Sequence, residues 1–342
     1  MRKWLLLLTL TSLAVILVAC GEDTTKGNGS TDNGTTGDNA EAAKSYTFKL
    51  GHEAAESHIK FKVAEKFAEE LEKASDGRMK VDLYPSNQLG KEADMAQQVQ
   101  SGTLEFAILS NGTMSSISES LNGWFMPYLF EDIKAAEKAV DSAEAKQMMT
   151  DLEQKNMIGY GVFFAGQRHI FAKKEINSVE DLKGLKIRIP GSPVFESYYK
   201  AINASPASMP LPEVYTSLST GVIDAVDTDL DAALSQKFYE AVENLTLTGH
   251  IIFPEVVIAS KTLIDGLNEE DQKLIADTWN EVIKWGIAES ISKNENLLNE
   301  LKDLGVKVTE LSNYSEFKEA SQKVYDQYSS NEVIKAFIEA NQ

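Results

Sequence analysis

The chain has 342 residues, 43% hydrophobic and 25% charged. At about 150 residues per domain, that is enough for roughly two domains with a sizeable core, and it excludes collagen-like, coiled-coil and polytopic membrane classes. Lys and Arg number 33 against 52 Asp and Glu, a formal charge of −19, so no basic footprint exists for nucleic acid, and an anionic ligand needs local arginines to overcome the surrounding field.

Arg2 and Lys3 precede an apolar run from Trp4 to Val18, broken only by Thr9, Thr11 and Ser12. The run is about 15 residues, short of the roughly 20 needed to span a bilayer, and it closes in small residues, so residues 1–19 read as an export signal. The single cysteine excludes a disulfide framework and any multi-cysteine metal site. Its setting, Leu17-Val18-Ala19-Cys20, resembles the lipobox of bacterial lipoproteins. That resemblance implies that Cys20 is acylated, becomes the N-terminus and anchors the chain on the outer face of the cytoplasmic membrane. Residues 21–45 contain no aliphatic side chain larger than alanine and no aromatic, so 20–45 is expected to be a flexible tether, with a reach of about 25–30 Å.

The remaining chain alternates between the two periodicities. Tyr46–Leu50 reads as a strand, Phe61 to Ala74 as a helix stopped by Asp76-Gly77, and Met79–Tyr84 as a second strand. A helix through Met95 and Val99 ends at Gly102, and Leu104–Leu109 suits a buried parallel strand. Next come a helix over about 135–154, a strand over Met157–Ala165, and a fresh series: strand Lys186–Ile189, a helix to Ile202, and strand Gly221–Val226. A strand near Ile251–Ala259 precedes a helical stretch from Glu269 to about Leu304 with no proline; 30 or more helical residues run roughly 45 Å or longer, wider than one small lobe, so it is expected to brace two. The pattern is α/β with two sheets. One lobe is expected over 46–164 plus about 252–285, the other over 165–251 plus about 286–342.

Signs of catalysis are lacking. His52 and His58 stand six residues apart, about 240° around a helix, so they cannot share a face as zinc-protease histidines do. No Gly-x-Ser-x-Gly elbow occurs. The acidic pairs Glu53/Glu56 and Asp227/Asp229 read as solvated charge or caps, and no cofactor is implied. The arginines are more informative. In Leu185-Lys186-Ile187-Arg188-Ile189-Pro190 the aliphatics alternate, so Arg188 projects from the other face at the strand's C-terminal end, where open α/β sheets bind ligands. Arg168 lies at the crossing between the lobes. A guanidinium fork fits a carboxylate bidentately, although position alone is equally consistent with structural salt bridges.

Several motifs recur together in order: Leu182-Lys183-Gly184-Leu185-Lys186-Ile187-Arg188-Ile189-Pro190, Met209-Pro210 with Glu213-Val214-Tyr215, Gly221-Val222-Ile223-Asp224, and Lys237-Phe238-Tyr239-Glu240 leading to Thr248-Gly249-His250. Upstream stand Tyr84-Pro85-Ser86-Asn87-Gln88-Leu89-Gly90 and Gly102-Thr103-Leu104-Glu105. From 46 to 342 the chain resembles the solute-binding subunits of tripartite ATP-independent periplasmic (TRAP) transporters. The resemblance implies a two-lobed, periplasmic-binding-protein-like fold and a non-enzymatic protein that closes its lobes on a small organic acid and delivers it to the small and large integral-membrane subunits of a permease. It implies that Arg188 clamps the solute carboxylate and Arg168 assists. It also places Glu53, Ser110, Asn111, Leu211, Asp227 and Thr228 near the ligand. Family members commonly have Glu-Asn where this chain has Asp227-Thr228, and an aromatic in place of Leu211, which leaves the identity of the solute open. An importer of the ABC type and a secreted lipid-anchored hydrolase are the alternatives.

Overall fold

Residues 44–311 and 314–342 are described by the computed structural model, so the expected leader, Cys20 and nearly all of the tether lie outside the described residues. The first half runs β1 (Tyr46–Gly51), α1 (Ile59–Ala74), β2 (Met79–Tyr84), α2 (Glu92–Ser101), β3 (Phe106–Ser110), α3 (Asn111–Ile117), α4 (Ile133–Glu137), α5 (Ala143–Asp151) and β4 (Met157–Gln167). It continues through β5 (His169–Ala172), β6 (Lys186–Ile189), α6 (Pro193–Ala201), β7 (Ser205–Ser208), α7 (Val214–Thr220), β8 (Ala225–Thr228), α8 (Leu230–Ser235) and β9 (Asn244–Leu247). The chain then returns along β10 (Ile252–Ser260) to α9 (Lys261–Ile264), α10 (Glu269–Asp303), β11 (Lys307–Glu310), α11 (Ser315–Tyr328) and α12 (Glu332–Asn341).

Two sheets result, one of five strands ordered β2-β1-β3-β10-β4 and one of six ordered β11-β9-β5-β8-β6-β7. Local sequence explains the layers. In α1 the His58 side chain accepts the Lys60 N–H as a cap, and Ile59, Val63, Phe67 and Leu71 are buried at helical spacing. Phe67 stacks on Trp279 of α10, ring centroids 3.6 Å apart. Truncating either ring would cost about 3–5 kcal/mol. β3 runs parallel to β1 as expected but antiparallel to β10, so the first sheet is mixed.

Two sequence expectations change. The single helix expected over about 135–154 is divided into α4 and α5, because Asp132 caps one start, its side chain accepting the Ala135 N–H, and Ser142 caps another, accepting from Ala145. Each cap supplies a local alternative to continued helix. The strand expected at Gly221–Val226 begins only at Ala225, since Gly221, at φ 77°, is the left-handed cap that ends α7.

The chain crosses between sheets at Arg168, from β4 into β5, and again between β9 and β10. The two crossings are hydrogen-bonded to each other, Arg168 N donating to Ile251 O at 2.7 Å. The 35-residue α10 spans both lobes: Trp279 lies against α1, while Leu297 and Leu301 enter the core beneath Phe171, Val226 and Leu245 of the second sheet. The closing helix α12 packs back on the first lobe, Phe337 against Trp124 at 4.7 Å between centroids.

Candidate functional site

The eight residues singled out for the solute come from six separate places in the fold and converge where the lobes face each other. Glu53 follows β1, Ser110 and Asn111 stand at the β3–α3 junction, Arg168 is on the crossing, Arg188 on β6, Leu211 precedes α7, and Asp227 and Thr228 close β8. Contacts across the cleft are direct. Leu211 N–H points to Glu53 Oε2 at 3.4 Å, and a β-carbon on Gly112 would stand 3.3 Å from Pro190 Cβ. At the rim Lys91 and Glu213 pair at 3.0 Å.

Arg188 is 3% exposed. Its Nε and one Nη both donate to the Met209 carbonyl, at 3.0 and 2.9 Å, and among the described residues it makes no ion pair. Burial lowers its guanidinium to about 10, and the Arg168 charge adds to this against the opposing pull of Glu53, Asp227 and Glu92. A buried cation held only by a neutral carbonyl is poised for an anion that the protein itself does not supply in contact.

Arg168 is differently placed. Its Nε donates to Asp227 Oδ1, one Nη to Asp229 Oδ2 at 3.1 Å, and the other Nη to the Asp227 carbonyl. These take three of the five N–H donors of a guanidinium, whose carbon sits 4.3 Å from the Phe253 ring centre. Asp227 is equally occupied, its Oδ2 accepting from Tyr199 Oη and contacting His250 Nε2, both at 2.6 Å. Burial would raise the Asp227 carboxyl, but the Arg168 charge, then His250 and Tyr199, outweigh it and hold it well below the carboxylate range. Asp227 therefore orients Arg168. Beside it, Thr228 Oγ1 is buried with no hydrogen-bond partner, as is Asn111 Oδ1. The Ser110 hydroxyl is committed to Glu92, and the Leu211 side chain packs into the second lobe's core.

Three further groups escaped the sequence reading. Lys60, 1% exposed, lies among Glu255 (2.7 Å), Glu92 (3.2 Å) and Glu53 (3.8 Å). Burial opposes its charge, yet the three carboxylates prevail and raise its pKa above the usual lysine value. One ammonium cannot balance three carboxylates. Burial, opposed by Lys60 and reinforced by Glu92, pushes Glu255 up to about 8, so it keeps its proton at neutral pH. Glu92 is lowered: burial is overcome by Lys60 and by hydrogen bonds from Ser110 and Thr113. The signal was present in the pattern, because Lys60 and Glu92 occupy positions on the buried faces of α1 and α2, and Glu255 interrupts an otherwise apolar strand.

A separate cavity of about 980 Å³, lined in part by Tyr128, Gln167, His169, Asn294 and Lys318, contains none of the eight residues. Among the described residues, no three His, Cys, Asp or Glu side chains stand where they could share a metal ion.

Comparison with known proteins agrees with this architecture. The family model described as bacterial extracellular solute-binding protein, family 7, matches residues 50–331. The sialic acid-binding periplasmic protein of Vibrio cholerae is 30% identical over 286 residues, 83% of this chain and 89% of that protein. The C4-dicarboxylate-binding periplasmic protein of Rhodobacter capsulatus is 28% identical over 264 residues, 77% of this chain and 79% of that one. A solved TRAP periplasmic solute-binding protein from Xanthobacter autotrophicus, with bound β-D-galacturonate, superposes with a TM-score of 0.82 at 26% identity, covering 86% of this chain and 100% of that one. Motif order, two-lobed fold and family match coincide over nearly the whole described chain, and it belongs to the bacterial extracellular solute-binding proteins of family 7, the solute-capturing subunits of TRAP transporters.

Proposed function

We propose that the protein captures a small organic acid outside the cytoplasm, with Arg188 as the carboxylate clamp, and that closure of the lobes presents the loaded form to a TRAP permease. The observation that carries this reading is the state of Arg188: buried, bonded only to a neutral carbonyl, and weakened as a cation by its surroundings. A solute carboxylate on its free N–H groups would compensate the lost hydration, and the pair gains strength as closing lobes expel water. Arg168, held by Asp227 and Asp229, adds positive field and keeps two N–H groups to offer. Asn111 Oδ1 and Thr228 Oγ1, unpaired and buried on either side, would receive the rest of the solute. Acid sugars lead the set to be tested, since a structural neighbour holds galacturonate. The hinge is assigned to the paired crossings at Arg168 and Ile251, with the lobes divided as 46–164 plus about 252–285 and 165–251 plus about 286–342, α12 excepted. The lipid anchor at Cys20 belongs to the same proposal, keeping the capture domain near its permease.

The test is calorimetric titration of the purified protein with carboxylates, neutral sugars and divalent metals. Saturable binding of carboxylates, lost on replacing Arg188, supports the reading. Binding of neutral sugars or metals alone would overturn it.

A further inference from the structure

The segment that holds Arg168 also reaches into the other lobe. Asp229 bonds Arg168 at 3.1 Å, and two residues on, Asp231 in the first turn of α8 meets the start of α1, its Oδ2 accepting the Ile59 N–H at 2.7 Å. α1 follows β1 of the five-stranded sheet and α8 follows β8 of the six-stranded one, so this bond joins the two halves of the molecule. Lys293 of α10 doubles it. Its Nζ donates to Asp231 Oδ1 at 2.6 Å and to the Ser57 carbonyl, just ahead of α1, at 3.1 Å. Asp231 and Ile59 are 2% and 1% exposed. His58 Nδ1 accepts the Lys60 N–H, so the neutral ring that burial favours carries its proton on Nε2, 3.9 Å from Asp231 Oδ2 and 4.0 Å from Asp229 Oδ1.

The start of α1 depends on the second lobe for one bond. The Lys60 N–H is taken by His58 Nδ1 and the Phe61 N–H by the His58 carbonyl, both from α1's own lobe, whereas the Ile59 N–H has Asp231 alone among the described residues. With the lobes apart, water can serve that N–H and the Asp231 carboxylate. With the lobes together, either one would be a desolvated polar group without its partner if the other were removed. The bond therefore weighs on the closed form and not on the open one. We propose that Asp231 is a positioning residue for solute capture, a latch that with Lys293 holds α1 against α8 in the closed form and sets how long a captured solute is retained. Asp227 and Asp229, on the same short segment, fix Arg168, so engaging the latch and bringing Arg168 to the solute are one movement. The inference rests on closure of the lobes over a solute, and not on which group Arg188 clamps.

The experiment takes the full-length protein as wild type, Asp231→Ala, Asp231→Asn and Lys293→Met, with galacturonate, galactonate and succinate as probes. Calorimetric titration reads Kd, stopped-flow mixing reads the dissociation rate, the radius of gyration with and without probe reads closure, and thermal unfolding reads ligand-free stability. Asp231→Ala is expected to raise Kd by about tenfold or more, chiefly through faster dissociation, while its ligand-free midpoint stays within a few degrees of wild type. Asp231→Asn keeps an acceptor for the Ile59 N–H and loses the ion pair with Lys293, so it and Lys293→Met should fall between wild type and Asp231→Ala. Unchanged Kd and dissociation rate in folded Asp231→Ala would overturn the latch while leaving closure intact. A ligand-free midpoint lowered by more than about ten degrees would also overturn it, since the contact would then be a permanent strut present in every form. Binding of a probe to wild type without contraction would remove closure and the latch together.

Discussion

Replacing Arg188 by Met keeps most of the side chain's length and apolar volume while deleting the guanidinium. In the solute complex the loss leaves a desolvated carboxylate without its charge partner, which costs about 3–5 kcal/mol, or roughly 150- to 5,000-fold in affinity. The free protein responds in the opposite sense. Burial lowers the Arg188 pKa from 12.5 to about 10, the sign of a desolvated cation whose charge is disfavoured where it stands. On the proposed reading, that penalty disfavours closing without solute and the solute carboxylate offsets it, which couples binding to closure. Methionine removes the penalty, while the two lost hydrogen bonds to Met209 O return part of it. The ligand-free variant should thus unfold within a few degrees of wild type and populate the closed form more, while its affinity for galacturonate or another bound acid collapses. Calorimetric titration, thermal unfolding and the radius of gyration in solution read the three quantities separately. Undiminished affinity in a folded variant refutes the clamp. A ligand-free midpoint lowered by more than about ten degrees would instead make Arg188 a structural strut.

Glu255 has a folded-state pKa raised by burial from 4.5 to about 8, so its contribution to stability is fully present below pH 4.5 and is lost as pH rises toward 8. Glu255→Gln should therefore gain on wild type by about 1.4 kcal/mol per pH unit between pH 5 and 8, read by urea unfolding, and parallel profiles would refute the assignment. Asp227 is the reverse case, depressed below 3.8, with stability present above that value and lost as pH falls below it. Asp227→Asn should lower stability at neutral pH by about 3 kcal/mol and flatten the acid limb of the wild-type curve, a loss absent if Arg168 found other partners. Gly112→Val puts branched carbons where even a β-carbon stands 3.3 Å from Pro190. Crowding of about 1–3 kcal/mol falls on the closed form, so affinity should drop by roughly tenfold or more while the ligand-free midpoint stays put.

The α/β alternation, the long helix and the strand carrying Arg188 were legible because periodicity and caps are local properties: Lys186–Ile189 and Glu269–Asp303 read directly from the order of apolar residues. The division of the 135–154 segment was written in Asp132 and Ser142, but caps compete with continued helix by small margins, and the apolar pattern bridges both. The site was legible as a set of loop positions, not as a set of bonds. Whether Arg168 meets a solute freely or is held by Asp227 and Asp229 depends on β5 lying beside β8, a pairing between residues about 60 apart in the chain. Sequence alone determined which residue types could bind a carboxylate and the α/β order of most helices and strands. Tertiary structure alone decided which charges are already spent on one another, as in the cage around Lys60, and which one, Arg188, is buried with capacity left. Charge and hydrogen-bonding capacity belong to a side chain, but desolvation and pairing belong to its neighbours, and only the folded chain brings those together.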